Sequence, residues 1–210
     1  MKFLSLFLLS VFCSLVCFGQ NITNMVASQR IWSAMPLTTT PSVGGGGCNT
    51  IKDSYLGNHA GTSYIGGGYL ATACKFVASN SYTACSVSVV VERIGSGSTY
   101  TVHASIYSHD SGSNQPNVLI GTSSDEVALS SFNTSYGLVT FPNMSATLVS
   151  GTTYWIVLRI TVADGSYTNY SQVDTRSFLG QTNGTMLSTN GTTWTVLGGQ
   201  SSFQFNCYGP

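Results

Sequence analysis

Leu148–Ile160, LVSGTTYWIVLRI, opens with a turn at Ser150-Gly151-Thr152 and then runs straight into eight residues with no helix-breaking or turn-forming member. Side chains alternate faces along a strand. Tyr154, Ile156, Leu158 and Ile160 therefore share one face, and Trp155, Val157, Arg159 and Thr161 share the other. The first set is the more apolar and is assigned to the core. The second set places an aromatic plane and a planar cation two positions apart on the outer face. Trp155 is thus either a platform that touches a ligand or a side chain covered by a loop or by the N-terminal arm.

The same period of two recurs outward from this strand. In TACSVSVVVERI (83–94), Cys85, Val87, Val89 and Val91 share one face. In YTVHASIY (100–107), Val102, Ala104 and Ile106 turn inward while His103, Ser105 and Tyr107 turn outward. His103 and Tyr107 are accordingly added to Trp155 and Arg159 as candidate ligand-binding residues. ATACKFVA (71–78), NVLIGTSS (117–124), YGLVTFP (136–142), GTTWTVL (191–197) and SSFQFNCY (201–208) complete the set of strands, and Phe203, Phe205 and Cys207 share a face of the last. No apolar period of 3.6 survives beyond the leader. Short strands separated by Gly, Asn and Ser turns predict an all-β antiparallel sandwich of jelly-roll type.

Residues 1–19 carry Lys2, an apolar run and a Cys17-Phe18-Gly19 ending with small residues where signal peptidase needs them, so a cleaved leader and a secreted product are expected. No later stretch has the roughly 20 apolar residues of a membrane span. Residues 20–68, with PLTTTPSVGGGGCNT and GTSYIGGGY, read as an irregular Gly- and Thr-rich segment before a domain at 69–210. Charged residues make up 7% of the chain, against about 25% in ordinary soluble proteins, so hydroxyls and amides supply its polarity. Without a basic patch to release counterions, nucleic acid is not an expected partner. The low charge leaves self-association open.

Of the six cysteines, Cys13 and Cys17 leave with the leader. In a secreted chain the remaining four imply two disulfides. Cys74 and Cys85 flank the turn cluster Ser79-Asn80-Ser81, which suggests a hairpin that pairs them and leaves Cys48 for Cys207. No C-x-x-C spacing supports zinc, and neither a metal nor a cofactor is implied. Sequons stand at Asn21, Asn133, Asn143, Asn169, Asn183 and Asn190; in a eukaryotic secretory pathway they would carry glycans.

The order ACKFVASNSYTACSVSVVVE (73–92), ASIYSHDSGSNQPNVLIGTS (104–123) and FPNMSATLVSGTTYWIVL (141–158) resembles the choice-of-anchor modules of bacterial surface proteins. The likeness implies a β-sandwich displayed outside the cell. It carries no catalytic residue over, and it departs from the family at Cys74 and Cys85, where small or apolar residues are the pattern.

Chemistry-bearing patterns are sparse. Asp125 and Glu126 are adjacent and would face opposite sides of a strand, so they do not flank one bond. The histidines show no H-E-x-x-H spacing and there is no G-x-S-x-G elbow. Asp110-Ser111-Gly112-Ser113-Asn114 reads as a turn rather than a calcium loop, because its oxygen ligands are few and a closing Glu is missing. The expected function is a non-catalytic adhesion or carbohydrate-recognition module acting on a glycan or matrix component. A structural part of an extracellular coat, wall or fibre is the alternative, and a secreted hydrolase is third.

Overall fold

The computed structural model describes residues 47–95, 100–160, 170–177, 184–197 and 201–210. The leader and the sequons at Asn21, Asn169 and Asn183 lie outside them. The described chain is antiparallel β-structure with one short 3-10 turn, Leu129–Ser131. Its strands are β1 (Thr50–Ser54), β2 (Gly61–Gly66), β3 (Ala71–Val77), β4 (Tyr82–Ala84), β5 (Ser86–Ile94), β6 (Thr101–Asp110), β7 (Gln115–Thr122) and β8 (Val127–Ala128). The remainder are β9 (Gly137–Phe141), β10 (Ala146–Leu148), β11 (Thr153–Ile160), β12 (Tyr170–Ser177), β13 (Thr185–Ser188), β14 (Thr195–Val196), β15 (Ser201–Phe203) and β16 (Phe205–Gly209).

Two seven-stranded sheets result. In sheet I the order is β1-β16-β5-β12-β15, with β2 against β12 and β9 against β5; in sheet II it is β14-β13-β3-β11-β6-β7, with β8 against β6. A two-stranded ribbon of β4 and β10 stands apart. The alternation expected from the sequence sets the core: Tyr154, Ile156, Leu158 and Ile160 of sheet II are buried in one cluster with Val87, Val89 and Val91 of sheet I. Phe76 packs edge-on to Phe205 with ring centroids 5.3 Å apart, and Tyr55 stacks on Phe205 at 4.8 Å. Such pairs add about 0.5–1.5 kcal/mol each beyond the area they bury, so these rings hold the two sheets together.

Two expectations are corrected. The segment 20–68 is not irregular throughout, because 50–54 and 61–66 form β1 and β2. Both are edge strands that pair with β16 and β12 respectively, and tertiary partners of this kind override the weak local propensity of Gly-rich sequence. The cysteine pairing also differs, since the disulfide is Cys48–Cys85 while Cys74 and Cys207 are buried free thiols. Ser79-Asn80-Ser81 does not close a hairpin between neighbours. It turns a corner that carries the chain from β3 in sheet II toward β5 in sheet I, which leaves Cys74 in sheet II and Cys85 just ahead of β5. Cys48 precedes β1 and reaches past the end of β16 to Cys85, whose backbone N–H donates to the Tyr208 carbonyl at 2.9 Å.

Asp53 pins that corner. It is 4% exposed, its carboxylate accepts the Ser79 N–H at 2.9 Å and the Tyr82 hydroxyl at 2.6 Å, and burial together with Cys207 and Asp53 pushes the Tyr82 hydroxyl well above its ordinary value. The free thiols are likewise held protonated. Burial raises Cys74 to about 11 and Cys207 to about 12, and the Cys74 sulfur accepts the Phe203 N–H at 3.2 Å.

Where β7 passes β10 the backbones are close. A Cβ on Gly121 would lie 2.4 Å from the Ser145 carbonyl oxygen and 2.9 Å from the Ala146 Cβ. Backbone cannot swing aside as a flexible side chain would, so Gly121→Ala is expected to cost about 1–3 kcal/mol as overpacking. A urea melt unchanged from wild type would show that the approach is looser than described.

Candidate functional site

The outer face of sheet II collects every residue singled out in the sequence as ligand-binding. Register is the reason: β11 lies between β3 and β6, opposing Trp155 to Lys75 on one side and Tyr107 on the other, and Arg159 to Ala71 and His103. Trp155, Arg159, His103 and Tyr107 thus form one surface. Trp155, however, is 0% exposed, so it is covered rather than a bare platform.

Its cover is a second apolar cluster behind the sheet. Ala71, Ala73, Trp155, Val157 and Met186 are buried together, and the half-buried Tyr107 and Trp194 pack against them. Two alanines on β3 leave the depth that the indole needs. Met186 arrives because β13 pairs with β3, placing Met186 opposite Ala73. The turn after β13 is closed by Asn190, whose Oδ1 accepts the N–H groups of Thr192 at 2.9 Å and Thr193 at 2.7 Å. Gly191 in that turn has φ +77°, and a Cβ there would sit 2.9 Å from the Arg159 Cζ. The guanidinium therefore packs closely against Gly191, where a side chain would collide with it.

Two polar side chains reach the indole, and a third is bonded to one of them. Its Nε1–H donates to His109 Nδ1 at 3.1 Å, Lys75 Nζ stands 5.9 Å from the ring centroid, and Lys75 donates to Asn114 Oδ1 at 2.9 Å. Asn114 occupies the left-handed region, φ 53°, which Asn tolerates better than most residues. Beside it Asp110 closes the β6–β7 turn by accepting from the Gly112 N–H at 2.9 Å and the Ser113 hydroxyl at 2.6 Å. The Ser113 and Gly112 bonds hold its carboxyl below the usual range, as a turn reading of this loop requires.

Both histidines of this face are held below their ordinary value. Burial dominates for each; Lys75 adds to it at His109 against the pull of Asp110, while at His103 Glu126 opposes it and Arg159 reinforces it. The folded state then keeps the rings neutral while the unfolded chain takes up protons at about pH 6.5. Stability is accordingly expected to be level above pH 6.5 and to fall as the pH drops from there toward the lower folded values. Urea midpoints at pH 7.5 and 5.0 test this. The pH-dependent loss should shrink in the His103→Gln, His109→Gln double variant, and an equal loss there would assign it to other groups.

Sequence reasoning missed Lys75, His109, Asn114 and Trp194 as members of this surface. Ala71 and Ala73 were the available signal, since small residues on alternate positions mark a face that something large must fill. The sequons at Asn133, Asn143 and Asn190 are exposed, with Asn143 Nδ2 donating to Asp125 at 2.7 Å. Among the described residues no group of three or more His, Cys, Asp and Glu is placed to hold a metal ion, and no helix is long and apolar enough to cross a membrane. No protein-family model matches the chain, and no curated protein matches it either.

Proposed function

We propose that the protein is a secreted, non-catalytic recognition module that binds carbohydrate on the outer face of sheet II. The observation that carries this reading is the pair of half-buried aromatics, Tyr107 and Trp194, packed against the cluster that buries Trp155, with His109 and Lys75 reaching the same indole. Sugar rings present C–H patches that pack on aromatic faces, and their hydroxyls pair with amide, imidazole and ammonium groups. The contact surface is thereby moved from the buried Trp155 to these two aromatics. A disulfide between Cys48 and Cys85 fits an oxidising compartment, and the likeness to extracellular choice-of-anchor modules points the same way.

Insoluble-polysaccharide pull-down and a glycan array with the mature protein test the proposal, run beside Trp194→Ala and Tyr107→Ala with folding confirmed. Saturable binding that disappears in either folded variant is the expected result. Binding that both variants retain would move the site elsewhere, and no binding to any glycan would remove the reading.

A second reading, a component of an extracellular coat or fibre, rests on β7. Among the described strands β7 pairs only with β6, it contains no charged residue, and Val118 and Leu119 are 58% and 49% exposed. An uncharged, apolar sheet edge is the kind of surface through which copies of a chain pair. Concentration-dependent growth in mass by light scattering, abolished by Val118→Lys, would favour it.

A further inference from the structure

We infer that the ligand recognised on this face carries an oxyanion, a carboxylate or a sulfate, on a flat-faced ring. The inference rests on the recognition reading above and concerns which chemistry His109, Lys75 and Asn114 can meet. An indole nitrogen only donates, so the bond from Trp155 Nε1 to His109 Nδ1 at 3.1 Å leaves that nitrogen unprotonated and places the proton of the neutral ring on Nε2. An ammonium likewise only donates. The 2.9 Å bond from Lys75 to Asn114 Oδ1 therefore fixes the amide's orientation and leaves its NH₂ as the outward-capable group.

His109 and Asn114 each turn their acceptor inward, onto Trp155 and Lys75, and each retains a donor, while Lys75 contributes charge 5.9 Å from the indole ring. Asp110 is tied into its own turn by the Gly112 N–H and the Ser113 hydroxyl, and at His109 the positive charge of Lys75 outweighs the negative charge of Asp110. Donors gathered beside a cation, next to an aromatic surface, match an acceptor-rich anion attached to a ring. A neutral sugar hydroxyl, which both donates and accepts, would leave its own donor unmet there. Hydrogen bonds from such donors to an anion are the stronger class.

The test is calorimetric and NMR titration of the mature protein with galacturonate oligosaccharides, with their methyl esters, in which the same ring lacks the charge, and with sulfate alone. Wild type is compared with Asn114→Asp, which keeps the left-handed turn and an acceptor for Lys75 but replaces the donor amide by a carboxylate, and with Trp194→Ala. The acid is expected to bind about tenfold or more tighter than the ester, as one charge-assisted hydrogen bond brings, and Asn114→Asp should erase that preference. Competition by free sulfate in wild type but not in Asn114→Asp would mark the same oxyanion locus.

Equal affinity for acid and ester, or a preference unchanged in Asn114→Asp, overturns the inference. If both sugars then still depend on Trp194, the recognition reading stands without it. If neither sugar binds, both fall, whereas sulfate binding that is sensitive to Asn114→Asp without any saccharide binding would retain the anion site and reject the sugar.

Discussion

Trp155→Ala is expected to lower the unfolding free energy by about 3–5 kcal/mol, the range for truncating a large buried aromatic, although Trp155 projects from the outer face of its sheet. The indole is fully buried among Ala71, Ala73, Val157 and Met186. Ala71 and Ala73 on the neighbouring strand are too short to fill the space that the indole leaves. The loss also strands His109 Nδ1, which accepts the indole N–H, and removes the ring from Lys75. An exposed platform would behave otherwise, since surface substitutions typically change stability by about 0.5 kcal/mol or less. Urea unfolding therefore separates the two descriptions, and a variant as stable as wild type would return Trp155 to the surface. Trp155→Phe refines the result. It keeps most of the bulk but removes the donor, so the expected cost is about 1 kcal/mol, with the NMR titration of His109 moving up toward the ordinary imidazole value as Nδ1 becomes free to take a proton.

How far the sequence spoke for the structure depends on the range of the interaction involved. Facing along a strand is local, and Val87, Val89, Val91, Ile156 and Leu158 point inward as their alternation requires. Pairing between strands is not local. Nothing within residues 71–94 distinguishes a hairpin from a corner, because Ser79-Asn80-Ser81 suits either; the choice falls to Asp53, whose carboxylate takes Ser79 N–H and the Tyr82 hydroxyl from 26 and 29 residues away. A symmetric pair of cysteines about a turn was therefore a misleading guide to a disulfide. The candidate site shows the same division. Trp155, Tyr107, Arg159 and His103 follow from facing, whereas Lys75 and Trp194 needed the registers of β3 and β13, and Asn114 needed a left-handed turn that no alternation reports.

Replacing both members of the disulfide, as Cys48→Ser with Cys85→Ser, is expected to cost about 4 kcal/mol. The bond spans 37 residues of sequence, and the chain-entropy relation for a loop of that size gives about this value at 25 °C, within the roughly 2–5 kcal/mol range for native bridges. For a domain of this length the melting temperature should fall by roughly 8–16 °C. The magnitude is large because of where the bond lies. Cys48 stands just ahead of β1, an edge strand paired only to β16 among the described strands, so without the bridge the first strand is held by its ladder and by the hydrogen bonds of Lys52, Asp53 and Ser54. Two controls make the result specific. Reductant should bring the wild-type melt down to that of the double variant and leave the variant unmoved, since Cys74 and Cys207 are free thiols in both. Alkylation under native, non-reducing conditions should find those two thiols protected, being buried and held protonated up to about 11 and about 12, and denaturation should expose both. A wild-type protein indifferent to reductant would remove the bridge as a source of stability, whereas recovery of a Cys74–Cys85 peptide would require the residues flanking Ser79-Asn80-Ser81 to lie side by side, and the two-sheet topology with its outer-face site would have to be rebuilt around that pairing.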